Sequence, residues 1–367
     1  MAGPHNQTDL RSVFEGRRVL VTGHTGFKGG WLCLWLRKLG ADIVGVALPP
    51  PEGPSMCQAI NLSEIVDDRT GDIRDTSGFA KSIADVDAEL IIHMAAQAIV
   101  RQSYETPVDT YLTNVVGTAN VLEAALRMPS LRAVIVVTSD KCYENREWVW
   151  GYRENDPMGG SDPYSSSKGC AELVTSAYRQ SFFADPTGPQ LASVRAGNVF
   201  GGGDWGADRL IPDIVKATLA GQPTHIRNPA SIRPWQHVLE PLSGYLMLAA
   251  RLLSDGRNYA EGWNFGPDTC SVVDVETLAL TLQRTWSDNG PEFVFGKRPE
   301  GPHEAGVLRL DSTKAMTRLG WQPRLSLENA VAKTVDWYRR HSKGENMRAT
   351  SNQQIDEYEL MRFNSSG

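Results

Sequence analysis

Up to residue 200 the chain runs in blocks. Short continuous runs of β-branched and aliphatic residues at 18–22, 43–46, 90–94, 133–138 and 191–195 alternate with longer stretches of helical apolar spacing at 27–39, 76–84, 104–127 and 164–182. Runs of that kind predict strands buried on both faces, and their alternation with helices predicts an α/β fold with a doubly wound parallel sheet. Met1–Gly16 is polar and is expected to fray. Pro49-Pro-Pro-Glu-Gly-Pro54 predicts a loop. After Gly201-Gly-Gly203 the periodicity weakens and a more irregular region is expected. The polar stretch after about residue 342 is expected either to be partly disordered or to pack as a small tail. No internal repeat or low-complexity segment stands out.

The first strand and helix enclose a glycine turn. Arg18-Val-Leu-Val-Thr22 leads straight into Gly23-His-Thr-Gly26-Phe-Lys-Gly29, and a helical pattern continues through Trp31, Leu32, Leu34, Trp35, Leu36 and Leu39, with Gly40 at its C-terminal cap. Strand, glycine turn and helix together suit a dinucleotide. The helix N-terminus offers free N–H groups and partial positive charge to a pyrophosphate, and the missing Cβ atoms let the backbone approach it. Three glycines can also make nothing more than a tight turn; the flanking strand and helix favour the dinucleotide.

A second pattern lies at Asp162-Pro-Tyr164-Ser-Ser-Ser-Lys168. Asp162 or Ser161 can cap a helix with Pro163 in its first position, which puts Tyr164 and Lys168 one turn apart on one face. Bringing a phenol from its ordinary pKa of ~10 to ~7 takes roughly 4 kcal/mol of preference for the phenolate. A neighbouring ammonium supplies part of that, and the phenolate then takes a hydroxyl proton as hydride leaves the same carbon. An ordinary helix can carry a tyrosine and a lysine at this spacing with no chemistry attached. The chemical reading draws support from Ala133-Val-Ile-Val-Val-Thr138-Ser139-Asp140-Lys141-Cys142-Tyr143, a buried strand ending in a polar cluster, because ligands in open α/β sheets sit beyond the C-terminal ends of strands.

Composition narrows the classes. The chain has 367 residues and a net charge of −6, enough length for a large core plus a smaller lobe and a poor balance for nucleic acid or a membrane surface. No apolar run approaches a membrane span, and no secretory leader is visible, so a soluble cytoplasmic protein is expected. Cys33, Cys57, Cys142, Cys170 and Cys270 are scattered without metal-ligand spacing, which predicts reduced thiols and no metal site.

The spacing G-x-x-G-x-x-G with Tyr164 and Lys168 resembles the extended short-chain dehydrogenase/reductase superfamily. More narrowly, the chain is similar to the CDP-glucose 4,6-dehydratases, through Val21-Thr-Gly-His-Thr-Gly-Phe-Lys-Gly29, Gly71-Asp-Ile-Arg-Asp75, His93-Met-Ala-Ala-Gln97, Thr138-Ser-Asp-Lys-Cys-Tyr143, Asn145-Arg-Glu-Trp-Val-Trp-Gly-Tyr-Arg-Glu154, Asp162-Pro-Tyr-Ser-Ser-Ser-Lys168, Arg195-Ala-Gly-Asn-Val199 and Ile232-Arg-Pro-Trp-Gln-His237. Lysine at 141, where related dehydratases carry glutamate, marks that branch.

The resemblance implies a Rossmann-like sheet with a smaller, interleaved C-terminal lobe: residues 1–200 for NAD, with about 233–265 returning to them, and 201–367 mainly for a nucleotide-sugar. It implies a lyase that oxidises C4 of CDP-glucose, eliminates water across C5 and C6, and reduces C6 with the same cofactor, in deoxysugar synthesis of the lipopolysaccharide type. It assigns catalysis to Ser139, Asp140, Lys141, Tyr164 and Lys168. Cofactor contacts are implied at Gly23, Thr25, Gly26, Phe27, Lys28, Gly29, Asp72, Ile73, Met94, Ala95, Ala96, Asn114, Thr138, Tyr164 and Lys168. Substrate contacts are implied at Gln97, Ser139, Asn198, Arg209, Arg233 and His303. His24 and Lys28 sit where they can lean on phosphate groups. Asp140 is the expected acid for the 6-hydroxyl. Lys141 is either the partner of the C5 proton or a cation that stabilises the enolate, and these stay open. Pro49 stands where relatives tend to carry an aspartate for the adenosine ribose, so NADP stays open beside NAD. Helices near 104–127 and 164–182 pair between subunits in relatives, which implies a homodimer or homotetramer. Another nucleotide-sugar dehydratase, or a 4-epimerase or reductase of the same superfamily, is the alternative, with a non-catalytic NAD(H)-binding regulator more remote.

Overall fold

The computed structural model describes residues 9–50, 52–287, 290–296 and 306–364. A short helix α1 (Leu10–Phe14) precedes β1 (Arg18–Thr22), α2 (Phe27–Lys38), β2 (Asp42–Ala47), α3 (Met56–Ala59), β3 (Asp67–Thr70), α4 (Thr76–Ser82) and β4 (Leu90–His93). Then come α5 (Val100–Glu105), α6 (Pro107–Tyr111), a π-helical turn (Leu112–Val116), α7 (Gly117–Ala125), β5 (Ala133–Val137), α8 (Pro163–Ser181) and β6 (Gln190–Arg195). The second half holds β7 (Val199–Phe200), α9 (Leu210–Leu219), β8 (Thr224–Ile226), β9 (Ile232–Pro234), β10 (Gln236–His237), α10 (Leu239–Ser254), β11 (Gly262–Asn264), β12 (Val272–Asp274), α11 (Val275–Trp286), β13 (Phe293–Phe295), α12 (Leu327–Ser342) and α13 (Met347–Asn364).

The central sheet has seven strands in the order β11-β6-β5-β4-β1-β2-β3, all parallel. Its order reverses between β1 and β4, which opens a crevice beyond the strand ends there. One core packs α2, α10 and the later helices on one face; a second packs α4, α7 and α8 on the other. Strands such as Ala133–Val137 are buried at every position, as their unbroken apolar runs predict.

Several expectations change. The helix expected over 104–127 is broken. Pro107 pushes Thr106 out of helical geometry (φ −130°, ψ 64°), and the π turn separates α6 from α7. Strand β3, Asp67-Asp-Arg-Thr70, is an addition to the expected set, because an edge strand this polar lacks an apolar signature. The region after Gly201 combines loops and strands of two or three residues with long helices the weak periodicity did not announce: α10 is a sixteen-residue helix, buried almost all round. The stretch at 347–364 is a helix, with Met347, Ile355 and Tyr358 buried. Within the expected frayed start, Leu10 and Phe14 are buried in the core, while residues 1–8 lie outside the described residues. Gly40 comes after α2 with φ +88°, one place beyond the cap residue Leu39. Among the described residues, no helix is long and apolar enough to cross a membrane, and no cluster of ligands suits a metal ion.

Candidate active site

A cleft of about 600 Å³ lies at the strand-order reversal. Its first wall is the glycine turn. Gly23 has φ +75°, and a Cβ there would stand 2.6 Å from the Ala95 nitrogen. At Gly29 a Cβ would meet the Gly23 carbonyl at 2.2 Å. Gly26 caps α2 without a side chain, leaving that helix end to the cleft. Thr25 donates its hydroxyl to the Leu48 carbonyl at 3.1 Å, tying the turn to the end of β2, where Leu48 and Pro49 line the cleft. Opposite, Met94 and Ala95 donate their backbone N–H groups to Thr22 Oγ1, both at 3.2 Å, which fixes the Met94–Ala96 segment. Asp72 is gripped by Arg74 (Nη2 to Oδ2, 2.7 Å), which holds its carboxyl below the usual range. Ile73 sits beside it under Gly117.

The middle of the cleft carries the polar end of β5 and the start of α8. Ser139 Oγ accepts from Lys141 N at 3.3 Å and donates to Asp140 Oδ1 at 3.0 Å, shaping a tight turn over Asp140–Cys142. Asp140 is 1 % exposed, and its Oδ2 has no hydrogen-bond partner. Burial pushes its carboxyl above the ordinary value, against the pull of Lys141 and Ser139. Gly197 backs it: a Cβ there would fall 1.7 Å from Oδ2. Asp162 caps α8, accepting from Ser165 N at 2.9 Å, with Pro163 in the first position. Tyr164 and Lys168 then face the cleft together. The Nζ atoms of Lys141 and Lys168 lie 5.9 and 6.0 Å from the Tyr164 ring centre. Burial drives the phenol up to about 12, opposed by Ser139 and Arg209 and reinforced by Asp140. Burial also brings Lys168 down to about 8. Lys28, on the cleft wall, is brought down to about 7 by loss of water and then by Lys168 and Arg209.

The far end is lined by Asn198, Arg209, Thr224–Asn228, Arg233 and Trp235. Arg209 pairs with Asp204 at 2.9 Å. Arg233 donates to the carbonyls of Ile232 and Gly306 at 2.9 and 3.1 Å. Asn198 is held at φ +46°. The buried Thr224 Oγ1 and Asn228 Oδ1 have no hydrogen-bond partner, which fits a wall that awaits a polar ligand.

The structure gathers Gly23, Thr25, Gly26, Phe27, Lys28, Gly29, Asp72, Ile73, Met94, Ala95, Ala96, Thr138, Ser139, Asp140, Lys141, Tyr164, Lys168, Asn198, Arg209 and Arg233 around one cleft. Gln97 and Asn114 stand back from it. Asn114 binds the Gln97 backbone and Ser167, while the Gln97 amide donates to Ile99 O and Thr110 Oγ1, so each is spent on its own neighbourhood. His24 does not reach the cleft either. It is fully buried, bonded to Asp68 at 2.7 Å and pressed against Gly45, where a Cβ would meet its ring at 2.4 Å. His303 lies outside the described residues. The sequence motifs assign no role to Glu172, Arg195 or Gly197. Glu172 repeats the four-residue step from Tyr164 to Lys168, and that spacing is the available signal.

Comparison with known proteins agrees with this architecture. Over 352 residues the chain is 50 % identical to a CDP-glucose 4,6-dehydratase of Salmonella typhimurium, covering 95 % of this chain and 98 % of that protein. The solved structure of MoeE5 in complex with UDP-glucose and NAD is 25 % identical, with a TM-score of 0.73 over 89 % of this chain and 99 % of that one. That of dTDP-glucose 4,6-dehydratase from Bacillus anthracis, in complex with NAD, is 21 % identical with a TM-score of 0.72, covering 91 % of this chain and 100 % of that one, and shows the shared fold. The family model described as GDP-mannose 4,6 dehydratase matches residues 20–334, and it is to this family that the chain belongs.

Proposed function

We propose that the protein is a CDP-glucose 4,6-dehydratase that uses NAD and releases CDP-4-keto-6-deoxyglucose. The observation that carries this is a buried acid, Asp140, in the same cleft as the Tyr164–Lys168 pair, within a chain half identical to an enzyme of that name. An epimerase or simple reductase needs the pair and has no use for the acid. Glycine turn, uncapped helix and Ile73 fit a dinucleotide, which when bound accepts hydride from C4 and later returns it to C6.

Each residue then has a task. Tyr164 takes the proton of the 4-hydroxyl. Its phenol is neutral in the protein alone, and the ammonium group of Lys168, 6.0 Å from the ring centre, favours the phenolate. Thr138 and Ser139 hold the 4-oxygen. Oxidation at C4 acidifies C5, and Lys141 takes that proton as a free amine; the competing assignment keeps Lys141 an ammonium that stabilises the enolate oxygen. Burial favours the protonated form of Asp140, which gives its proton to the departing 6-hydroxyl. Asn198, Arg209 and Arg233 hold the diphosphate and nucleotide, guanidinium groups suiting bidentate contact. Residues 1–200, with about 233–265, form the cofactor unit, and most of 201–367 forms the substrate lobe. Exposed apolar residues, Val108 (69 %) on α6, Leu173 (61 %) on α8 and Phe182 (58 %) just past its end, pair two copies of the chain. The reaction belongs to cytoplasmic deoxysugar synthesis of the lipopolysaccharide type.

The test is direct. Purified protein with CDP-glucose and catalytic NAD⁺ should give the alkaline absorbance of a 4-keto-6-deoxy sugar with no net NADH. NADH rising in step with product would mark a plain dehydrogenase. Running the assay with NADP⁺ tests whether Leu48-Pro49, in place of an acid, admits the extra phosphate.

A further inference from the structure

The face of α8 that carries Tyr164 and Lys168 carries one more buried ionisable group a turn later. Glu172 is 4 % exposed and does not line the cleft. It accepts from Thr138 Oγ1 on one oxygen, and from Ser193 Oγ and Arg195 Nη2 on the other, both at 2.8 Å. Arg195, equally buried, donates Nη1 to the Tyr143 hydroxyl at 2.7 Å and to the Glu154 carbonyl at 3.1 Å. Tyr143 passes the chain on to Asn264 Oδ1 at 2.7 Å. One carboxylate thus ties α8 to the end of β5 and to β6, and through Arg195 to the residue that ends the catalytic turn and to β11. Burial disfavours the charge, but Arg195 and the two hydroxyls outweigh it and hold the group below the usual carboxylate range. Such an ion pair is a weak source of net stability compared with apolar packing of similar volume. It does supply direction, and charge at a chosen place.

We propose that Glu172 is the positioning residue of the reaction centre: it orients Thr138, and with it the 138–141 segment, toward Tyr164, and it sets a permanent negative charge one turn from Lys168. This rests on the roles given above to Tyr164, Lys168 and Thr138. The groups around Lys168 make the second half specific. Tyr164 and Glu172 face it from its own helix, the Cys142 thiol from the catalytic turn, Lys28 from α2 and His93 from β4. Burial pushes the thiol up and brings His93 down to about 3, so both are neutral, and Lys28 repels. Among these groups Glu172 alone is negative at neutral pH.

The experiment compares Glu172→Gln with wild type on CDP-glucose and NAD⁺, tracking kcat, KM, the NADH transient and the pH profile of kcat. Because the single change leaves Arg195 buried without its counter-ion, the double variant Glu172→Gln/Arg195→Met is measured beside it. Glu240→Gln, at a buried acid that does not line the cleft, controls for the loss of a buried carboxyl as such. The expected result is a fall in kcat on the order of 10- to 100-fold in the single and double variants, with KM within about twofold. The alkaline limb should move to lower pH, since Lys168 loses the carboxylate that holds its proton. Glu240→Gln should leave kcat and the limb in place, whichever way it moves Tm. A folded double variant with wild-type kcat and an unmoved limb overturns the positioning role while leaving the dehydratase reading intact. A wild type inactive on CDP-glucose overturns that reading, and this role with it.

Discussion

Asp140 and Glu172 are buried carboxylates on either side of the end of β5, and they live under opposite regimes. Asp140 has one hydroxyl partner, one bare oxygen and a carboxyl pushed up by burial. Glu172 has both oxygens occupied, a guanidinium against it, and a carboxyl held down. The difference lies in partners, since both are equally dry. On the role proposed above, the group that gives up and regains a proton is the one left short of hydrogen bonds. The group proposed to hold its neighbours still is saturated with them.

The largest break in this comparison comes at the residue both regions serve. Tyr164→Phe should lower turnover by about 10²–10⁴-fold and abolish the NADH transient, with thermal unfolding close to wild type; stopped-flow absorbance and calorimetry check the two halves. Lys141→Ala is expected next, at about 10²-fold. It should let C4 oxidation proceed, accumulate enzyme-bound NADH and slow exchange of the C5 hydrogen with deuterium from solvent. Near-normal turnover would reduce Lys141 to a bystander.

Asp140→Asn sharpens the contrast, because activity and stability should move in opposite directions. Turnover should fall about 10²-fold through loss of the acid. Stability should rise at neutral pH, and linkage gives the sign. A carboxyl raised in the folded state keeps its proton where the unfolded chain releases it, so it costs stability as pH climbs above the ordinary carboxylate range. The Tm gain of the variant should therefore grow from acid to neutral pH and vanish in acid. Glu172, held down, acts the other way, and its contribution is lost as pH falls. The smallest effect is expected far from the cleft. Tyr358→Phe removes the hydroxyl donated to Glu240 at 2.8 Å and should cost about 1–2 kcal/mol of unfolding free energy with kcat unchanged.

The parts legible in the sequence are those the local chain dictates. Gly23, Gly26 and Gly29 report a backbone that no side chain can enter, and the Asp162-Pro163 cap sets the phase of Tyr164 and Lys168 before any tertiary contact forms. The hidden parts depend on distant partners. Gln97 looks free to meet a ligand until Asn114 and Thr110 claim it from neighbouring helical turns. His24 sits in the glycine turn, yet Asp68 on β3 draws it away from the cleft. That edge strand is itself invisible in the sequence, being polar. Glu172 is visible as a spacing, but its meaning needs Ser193 and Arg195 from β6 to arrive beside it.

Helix α13 lies against α2. Trp35 donates its indole N–H to Glu359 at 2.7 Å and meets the Tyr358 ring edge-on at 5.8 Å, while Lys38 pairs with Asp356. The outer face of the helix next to the glycine turn is therefore completed by residues made some three hundred positions later. At roughly 5–20 residues per second a ribosome takes on the order of tens of seconds to cover that distance. For all that time the tryptophan face of a nearly finished nucleotide fold stays open to chaperones and to other nascent chains, and a truncation before Met347 would make that interval permanent.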